Sequence, residues 1–432
     1  MKKHLRVGVF VLLCGIVPSF AQDWRVQNSG TTNQLKKIYF SDSLHGWAVG
    51  VQGTLLRTTD GGTQWAILHG PDSTARYLAT CFVDTLTGWV VGEWGLPLVT
   101  TDAGKSWTSE NVPKSFYMRD VFFASRDTGW IVGGGTTRGT ILRTCNGGNS
   151  WQVIKDSARG GGFSAVHFIT SNEGWVVGYN GMDNFDSSTI YHTTDSGISW
   201  IIQPSGHIGG LDAVSFYDTQ RGWASGWFGF SPWSEVIKTT DGGRNWFFSG
   251  PQPDPSNRVN EPFRTIESIG SQLVLIGCGN EMSRNIIYRS TDGGGAWRRD
   301  SVEHPHSITS IFCTDAVHCW SCGDSGRIWK YTPSPVSVHE IPAPEPDDAV
   351  ISIAVSQRGK SVDVAYTLRE AASITTDLYN LLGKKLLSKQ TSIPGAGTIS
   401  VAVDMNAYPA GMYSVLSSVG ARTYVNKIVL IR

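Results

Sequence analysis

The side chains of this 432-residue chain that could do chemistry are few and poorly spaced for it. Cys313, Cys319 and Cys322, with His318 between them, offer thiolate and imidazole groups, but their spacing matches no standard zinc pattern. A disulfide is the alternative. Cys313 and Cys319 would face each other across a hairpin whose turn is 314–318, which leaves Cys81, Cys145 and Cys278 without an assigned partner. Asp183 and Asp186 could donate oxygens to calcium, yet two acids three apart fall far short of a full coordination shell, and solvated loop polarity is the plainer reading. No Gly-x-Ser-x-Gly elbow, His-Glu-x-x-His pair or phosphate-cradling glycine loop is present. The expectation is therefore no catalytic residue, no metal and no cofactor. The competing reading is a secreted glycoside hydrolase using two carboxylates on one face, since acids distant in sequence can meet once folded.

Recognition chemistry is better represented. Trp94, Tyr179, Phe185, Trp227, Phe228, Phe230 and Trp233 cluster in irregular connections, where exposed rings offer large contact area at low entropic cost. The alternative is that these rings fold down as local core. A second set is a row of cations, Arg57, Arg143, Lys238, Arg289 and Lys330, with Val99 and His192 interrupting it in register. This row could form an arc for an acidic partner. Pairing with the recurring Asp42, Asp84, Asp218 and Asp315 would use up that charge, and the structural reading is preferred because paired surface charges are common and contribute little.

These residues are positioned by a repeat of about 41 to 51 residues. Six segments end in Ser/Thr-x-Asp-x-Gly-x-x-Trp, with Asp60, Asp102, Asn146, Asp195, Asp241 and Asp292 at the acidic position and Trp65, Trp107, Trp151, Trp200, Trp246 and Trp297 closing them. Upstream stands Gly-Trp-x-x-Gly, as at Gly46-Trp47, Gly88-Trp89, Gly129-Trp130, Gly174-Trp175 and Gly222-Trp223. It degrades to Val274-Leu275-Ile276-Gly277 in the sixth repeat and becomes Cys319-Trp320-Ser321-Cys322-Gly323 in the seventh. The seventh lacks its closing segment, and Trp24 precedes the first repeat as each closing Trp precedes the next. The strand around Trp24–Gln27 is therefore expected to complete a seventh four-stranded blade, leaving no open sheet edge. The fold class is all-β: a seven-bladed β-propeller followed by a small immunoglobulin-like β-sandwich. Seventeen Trp, 50 Gly and only 17% charged residues suit such a fold.

Residues 1–21 read as a secretory signal, with basic Lys2, Lys3 and Arg6, an apolar stretch from Val7 to Val17, and Ser19-Phe20-Ala21 before the cut. Cys14 lies inside the apolar stretch, which argues against a lipid anchor. The propeller is placed at 22–332, a proline-rich linker at 333–347 and the sandwich at 348–432. Between Gln22 and Glu340 there are 24 basic and 29 acidic residues, which speaks against nucleic acid as a partner. No apolar run after the leader approaches the roughly 20 residues of a membrane-crossing helix.

The closing segment and its partner motif resemble those of the Asp-box (BNR-type) propellers, and within them the photosynthesis system II assembly factor-like family, over residues 24 to about 332. That resemblance implies a binding or assembly role rather than a reaction. Sialidases share the Asp-box, but their opening Arg-Ile-Pro segment is absent here. The tail, with Leu378-Tyr379-Asn380-Leu381-Leu382-Gly383-Lys384-Lys385 and Tyr408-Pro409-Ala410-Gly411-Met412-Tyr413-Ser414-Val415, resembles the type A sorting domain of the type IX secretion system. Its usual Asn-Pro entry is replaced by Pro344-Glu345-Pro346-Asp347. The resemblance implies delivery by that machinery through the periplasm to the outer-membrane surface or beyond, where the partner would be a protein or a glycan.

Overall fold

The computed structural model describes residues 24–332 and 350–430, apart from 114–115, 136–137, 157–160, 181–186, 205–208, 228–233, 252–261, 280–285, 301, 303–305, 359–360, 369, 381–384, 405–410 and 420–421. The leader, the proline-rich linker, Asp183, Phe185, Asp186, Phe228, Phe230 and Trp233 lie outside the described residues.

Seven four-stranded antiparallel sheets follow one another from Trp24 to Tyr331. Their first strands are Leu35–Phe40, Tyr77–Phe82, Met118–Phe123, Phe163–Phe168, Gly210–Phe216, Phe263–Ile269 and Ile308–Cys313, in blades 1 to 7. Each packs against the next, and the last packs against the first, so the ring closes around an axis. Blade 7 takes its outermost strand from the start of the chain: Trp24–Gln27 pairs antiparallel with Ile328–Tyr331.

The seams between blades follow from the two glycine-bearing motifs. In blade 1, a side chain at Gly46 would collide with the Phe40 ring 2.4 Å away, so the first glycine leaves room for a flat phenylalanine on the opposing strand. The Gly-Trp indole of the preceding blade then stacks on that ring. Trp320 lies 3.6 Å from Phe40, Trp47 3.6 Å from Phe82, Trp89 3.4 Å from Phe123, Trp130 3.6 Å from Phe168 and Trp175 3.6 Å from Phe216. The box tryptophan of the same blade meets the phenylalanine edge-on, as Trp65 does Phe40. Each stacked indole also donates to a carbonyl of the next blade's Asp-box, from Trp47 to Ala103 (3.1 Å) and from Trp89 to Gly147 (3.1 Å), for example. Removing one such ring should cost about 3–5 kcal/mol.

The Asp-box is a self-contained turn. The first Thr hydroxyl donates to the Asp carboxylate and accepts the N–H of the fifth residue, as Thr58 does with Asp60 and Gly62. Asp60 accepts the N–H of Gln64 (3.0 Å), and Asp102, Asn146, Asp195, Asp241 and Asp292 repeat the bond.

The aromatic chain breaks at blade 6, where Ser268 faces Val274 in place of the phenylalanine–glycine pair. In blade 7 the same cross-strand positions are Cys313 and Cys319, joined by a disulfide. The seam from blade 6 to blade 7 is held instead by a buried cluster. Asp300 accepts from Trp24 Nε1 (3.0 Å) and from Arg289 Nε (2.8 Å), while Arg289 donates to the Tyr331 hydroxyl (2.6 Å) and lies over its ring.

The tail contains two sheets, one of Val350–Arg358, Ser361–Leu368 and Gly397–Asp404, the other of Lys385–Ile393, Ala372–Asn380, Gly411–Val419 and Arg422–Leu430. Alternate residues Val364, Tyr366 and Leu368 are buried, as are Ile374, Thr376 and Leu378 in the other sheet. A hydrogen bond of 2.7 Å between the Tyr366 and Thr376 hydroxyls joins the two.

Candidate functional site

A second regularity concerns the axis. All seven first strands carry a β-bulge at the same place, four residues before the position of Phe40. The last glycine of Gly-Trp-x-x-Gly accounts for it. A side chain at Gly50 would sit 2.2 Å from the Gln34 carbonyl oxygen, and at Gly92 2.1 Å from that of Arg76, so in six blades the glycine leaves room for the bulged backbone, while blade 6 carries its bulge opposite Cys278. The bulge turns one residue per blade toward the axis: Lys36, Leu78, Arg119, Ser164, Asp212, Arg264 and Thr309. Together with Gln34, Arg76, Tyr117 and Asp324 they line a cavity of about 760 Å³ at the end opposite the Asp-boxes.

This mouth is crowded with cations. Arg264 meets Asp212 at 3.2 Å and Arg76 meets Glu93 at 2.8 Å, whereas Lys36 and Arg119 make no ion pair among the described residues. Arg119 is held by rings. Its guanidinium lies 5.0 Å from the Tyr117 ring and 5.6 Å from that of Tyr179, and it donates to the Tyr179 hydroxyl at 3.3 Å. Burial, and then Arg76 beside it, holds the Lys36 ammonium below its usual range. Burial pushes the Asp212 carboxyl up, against the pull of Arg264. Cations that face one another in a concave, partly desolvated site favour a bound anion.

The loop aromatics separate into two groups. Trp94 is 69% exposed, adopts a left-handed backbone (φ 55°) and meets Tyr117 edge-on at 6.3 Å, so it stands on the rim of the mouth. Tyr179 is half-buried and belongs to the mouth through Arg119. Trp227 is also half-buried, its strand position opposite Gly210, and contributes to local packing rather than to an open surface.

The row of cations at the Asp-box end is engaged in the seams. Arg143 Nε donates to the Ser196 carbonyl (2.7 Å) and Lys238 Nζ to that of Gly293 (2.7 Å), both in the next blade's box. Lys330 lies over Trp320, and Arg289 is buried with Asp300; Arg57 Nε is buried without a hydrogen bond. The acids of the first turns pair elsewhere, Asp42 with His45, Asp218 with Arg221, Asp315 with His318 and Asp84 with Arg126. Arg143, Lys238 and Lys330 are thus engaged by backbone carbonyls and a ring, not by the first-turn carboxylates. Among the described residues no cluster of His, Cys, Asp and Glu is arranged to hold a metal ion; Cys81, Cys145 and Cys322 are not in disulfides, and the Cys278 thiol donates to the Ile286 carbonyl (3.0 Å).

Comparison with known proteins agrees with this architecture. Residues 18–115 and 109–205 match the family described as photosynthesis system II assembly factor YCF48, and residues 344–431 match the secretion system C-terminal sorting domain. The photosystem II assembly lipoprotein Ycf48 of Picosynechococcus sp. is 29% identical over 346 residues, covering 76% of this chain and 94% of its own. A solved structure of YCF48 bound to D1 peptide superposes with a TM-score of 0.58 at 22% identity, over 72% of this chain and 97% of that one. The GH74 xyloglucanase from Xanthomonas campestris superposes with a TM-score of 0.57 at 13% identity, over 93% of this chain and 75% of that one; likenesses this distant speak for the fold alone.

The class is an all-β, seven-bladed Asp-box propeller that ends in a type IX secretion sorting domain. Within that class the chain resembles the photosynthesis system II assembly factor family, and its sorting domain directs it through the type IX system to the cell surface or beyond.

Proposed function

We propose that this chain is an exported binding protein, not an enzyme, and that its axial mouth takes an acidic segment of a protein partner. The carrying observation is Arg119, a half-buried guanidinium held by two tyrosines rather than a carboxylate, next to a Lys36 crowded by Arg76. A relative that is an assembly lipoprotein, and a solved likeness with a peptide bound, support a protein segment over a glycan. A glycoside hydrolase would need two carboxylates free to act on a sugar. Here Asp212 is held by Arg264 and Asp324 by the Gln34 amide. The two tail sheets are read as the immunoglobulin-like sandwich that the secretion machinery recognises.

The test is titration of the exported chain with labelled poly-glutamate at low and high salt. Binding should weaken as salt rises, and Lys36→Gln with Arg119→Gln should weaken it at least tenfold. Indifference to both substitutions overturns the assignment of the mouth. Binding of a sulfated polysaccharide without binding of poly-glutamate would move the reading to a glycan.

A further inference from the structure

Beside the axial mouth lies a smaller cavity of about 220 Å³, where the segment after the closing strand passes the tight turn between the second and third strands of blade 1. Leu56 and Leu68 contribute its apolar floor, Ile67, 54% exposed, its lip, and Asn33, Gln52 and Ser73 polar groups. His69 is the one ionisable residue lining it.

The cavity is built rather than incidental. Gln52 (φ 53°) and Gly53 (φ 62°) both hold left-handed conformations, as the two-residue turn of this hairpin requires, and their surroundings fix the turn in place. Those surroundings are visible: Gly53 N–H donates to the Ala75 carbonyl (2.7 Å), and the Asn33 amide donates to Thr54 Oγ1 (3.0 Å), which donates in turn to the Val51 carbonyl (2.6 Å).

Size and position narrow the occupant. The volume falls below the roughly 300 Å³ at which pockets begin to enclose a whole small molecule, so one side chain is the natural guest. An aliphatic floor selects an aliphatic guest. Asn33 lines this cavity and its neighbour Gln34 lines the mouth, so the two are successive subsites along one stretch of backbone.

We propose that the side cavity takes a single aliphatic side chain, of leucine or isoleucine type, from the same partner segment whose acidic residues occupy the axial mouth. This rests on the acidic-segment reading above. The partner is therefore a segment that combines carboxylates with one nearby aliphatic residue.

The test titrates the exported chain with short labelled Asp/Gly peptides: a parent without aliphatic residues, and a series in which one leucine moves through each position. At least one leucine peptide should bind about tenfold tighter than the parent, the gain from burying one such side chain. Ile67→Asn, at an exposed strand position, and Ser73→Trp, which fills the cavity from its loop, should each abolish that gain and leave the parent's affinity unchanged. A leucine gain that survives both substitutions overturns the proposal. So does equal affinity of every leucine peptide and the parent; if Arg119→Gln still abolishes binding in that case, the mouth stands without the side cavity. No binding by any peptide overturns both readings together.

Discussion

Glu110 occupies a place that most blades give to an uncharged residue. It lies three residues after the box tryptophan Trp107 and reaches the Asp-box of the next blade at Gly148, as Gln27 reaches Gly62 and Gln203 reaches Gly243. Its carboxylate accepts from Trp151 Nε1 at 3.2 Å, yet burial pushes its pKa to about 7. Because the folded carboxyl holds its proton more tightly than an unfolded one, stability rises as pH falls from about 7 toward the ordinary glutamate range, and is lower above 7. Glu110→Gln should stabilise the fold at pH 8 by about 1–2 kcal/mol after discounting for partial solvation, and so raise the melting temperature there and flatten the pH dependence between 5 and 8; thermal melts across that range check it. The mouth residues show what sequence reading missed at this scale. The seven bulge positions hold Lys36, Leu78, Arg119, Ser164, Asp212, Arg264 and Thr309, so no column of like letters marks them. The signal was positional: four residues before the strand-ending phenylalanine and beside a glycine whose need was structural, with Ser268 and Cys278 at those two places in blade 6. Arg143 and Lys238 are the converse case, an evident column of like charges for which the structural reading was preferred, and backbone carbonyls of the next blade engage them.

At the scale of single strands and turns, the repeat was legible because each letter in it has one steric job. Gly46 admits a ring, Trp47 covers the next ring, and Thr58 with Asp60 closes the turn. The axial bulges were not legible, because the last glycine of Gly-Trp-x-x-Gly was read as a marker of the strand and not as room for a neighbouring backbone. The loops carrying Phe228, Phe230 and Trp233 lie outside the described residues, whereas Trp94 reached the rim. Blade 7 offers a direct test of the pairing logic. Since Cys313 and Cys319 stand where other blades place phenylalanine and glycine, the double substitution Cys313→Phe, Cys319→Gly should fold and melt at one temperature with or without reductant. The native chain should lose about 2 kcal/mol on reduction, the loop-closure value for so short a span. Calorimetry under both conditions decides it, and a double variant that fails to fold would show that Leu275 cannot cover a ring there.

The indole–phenylalanine stack is missing from the two seams that flank blade 6, and the second of these uses charged chemistry. Trp24, Arg289, Asp300 and Tyr331 join the start of the chain to blades 6 and 7, and the charged pair is nearly sealed from water. Arg289→Ala would leave Asp300 buried without its main partner and should cost about 3–5 kcal/mol, while Trp24→Ala should cost a similar amount by emptying a fully buried aromatic site. Denaturant melts measure both. If the ring unfolds as one unit, intrinsic fluorescence and circular dichroism will shift together; separate transitions would show that blade 7 opens before the others. Strand order also decides how the molecule bears a load. The strand Ile328–Tyr331, from which the chain departs toward its sorting domain, has Cys319–Gly323 on one side and Trp24–Gln27 on the other. A protein tethered by that end would feel tension on an interior strand, gripped along both flanks and resisted in shear. The fastening that completes the circle is thus also what keeps a pull at the tether from peeling the blades away one strand at a time.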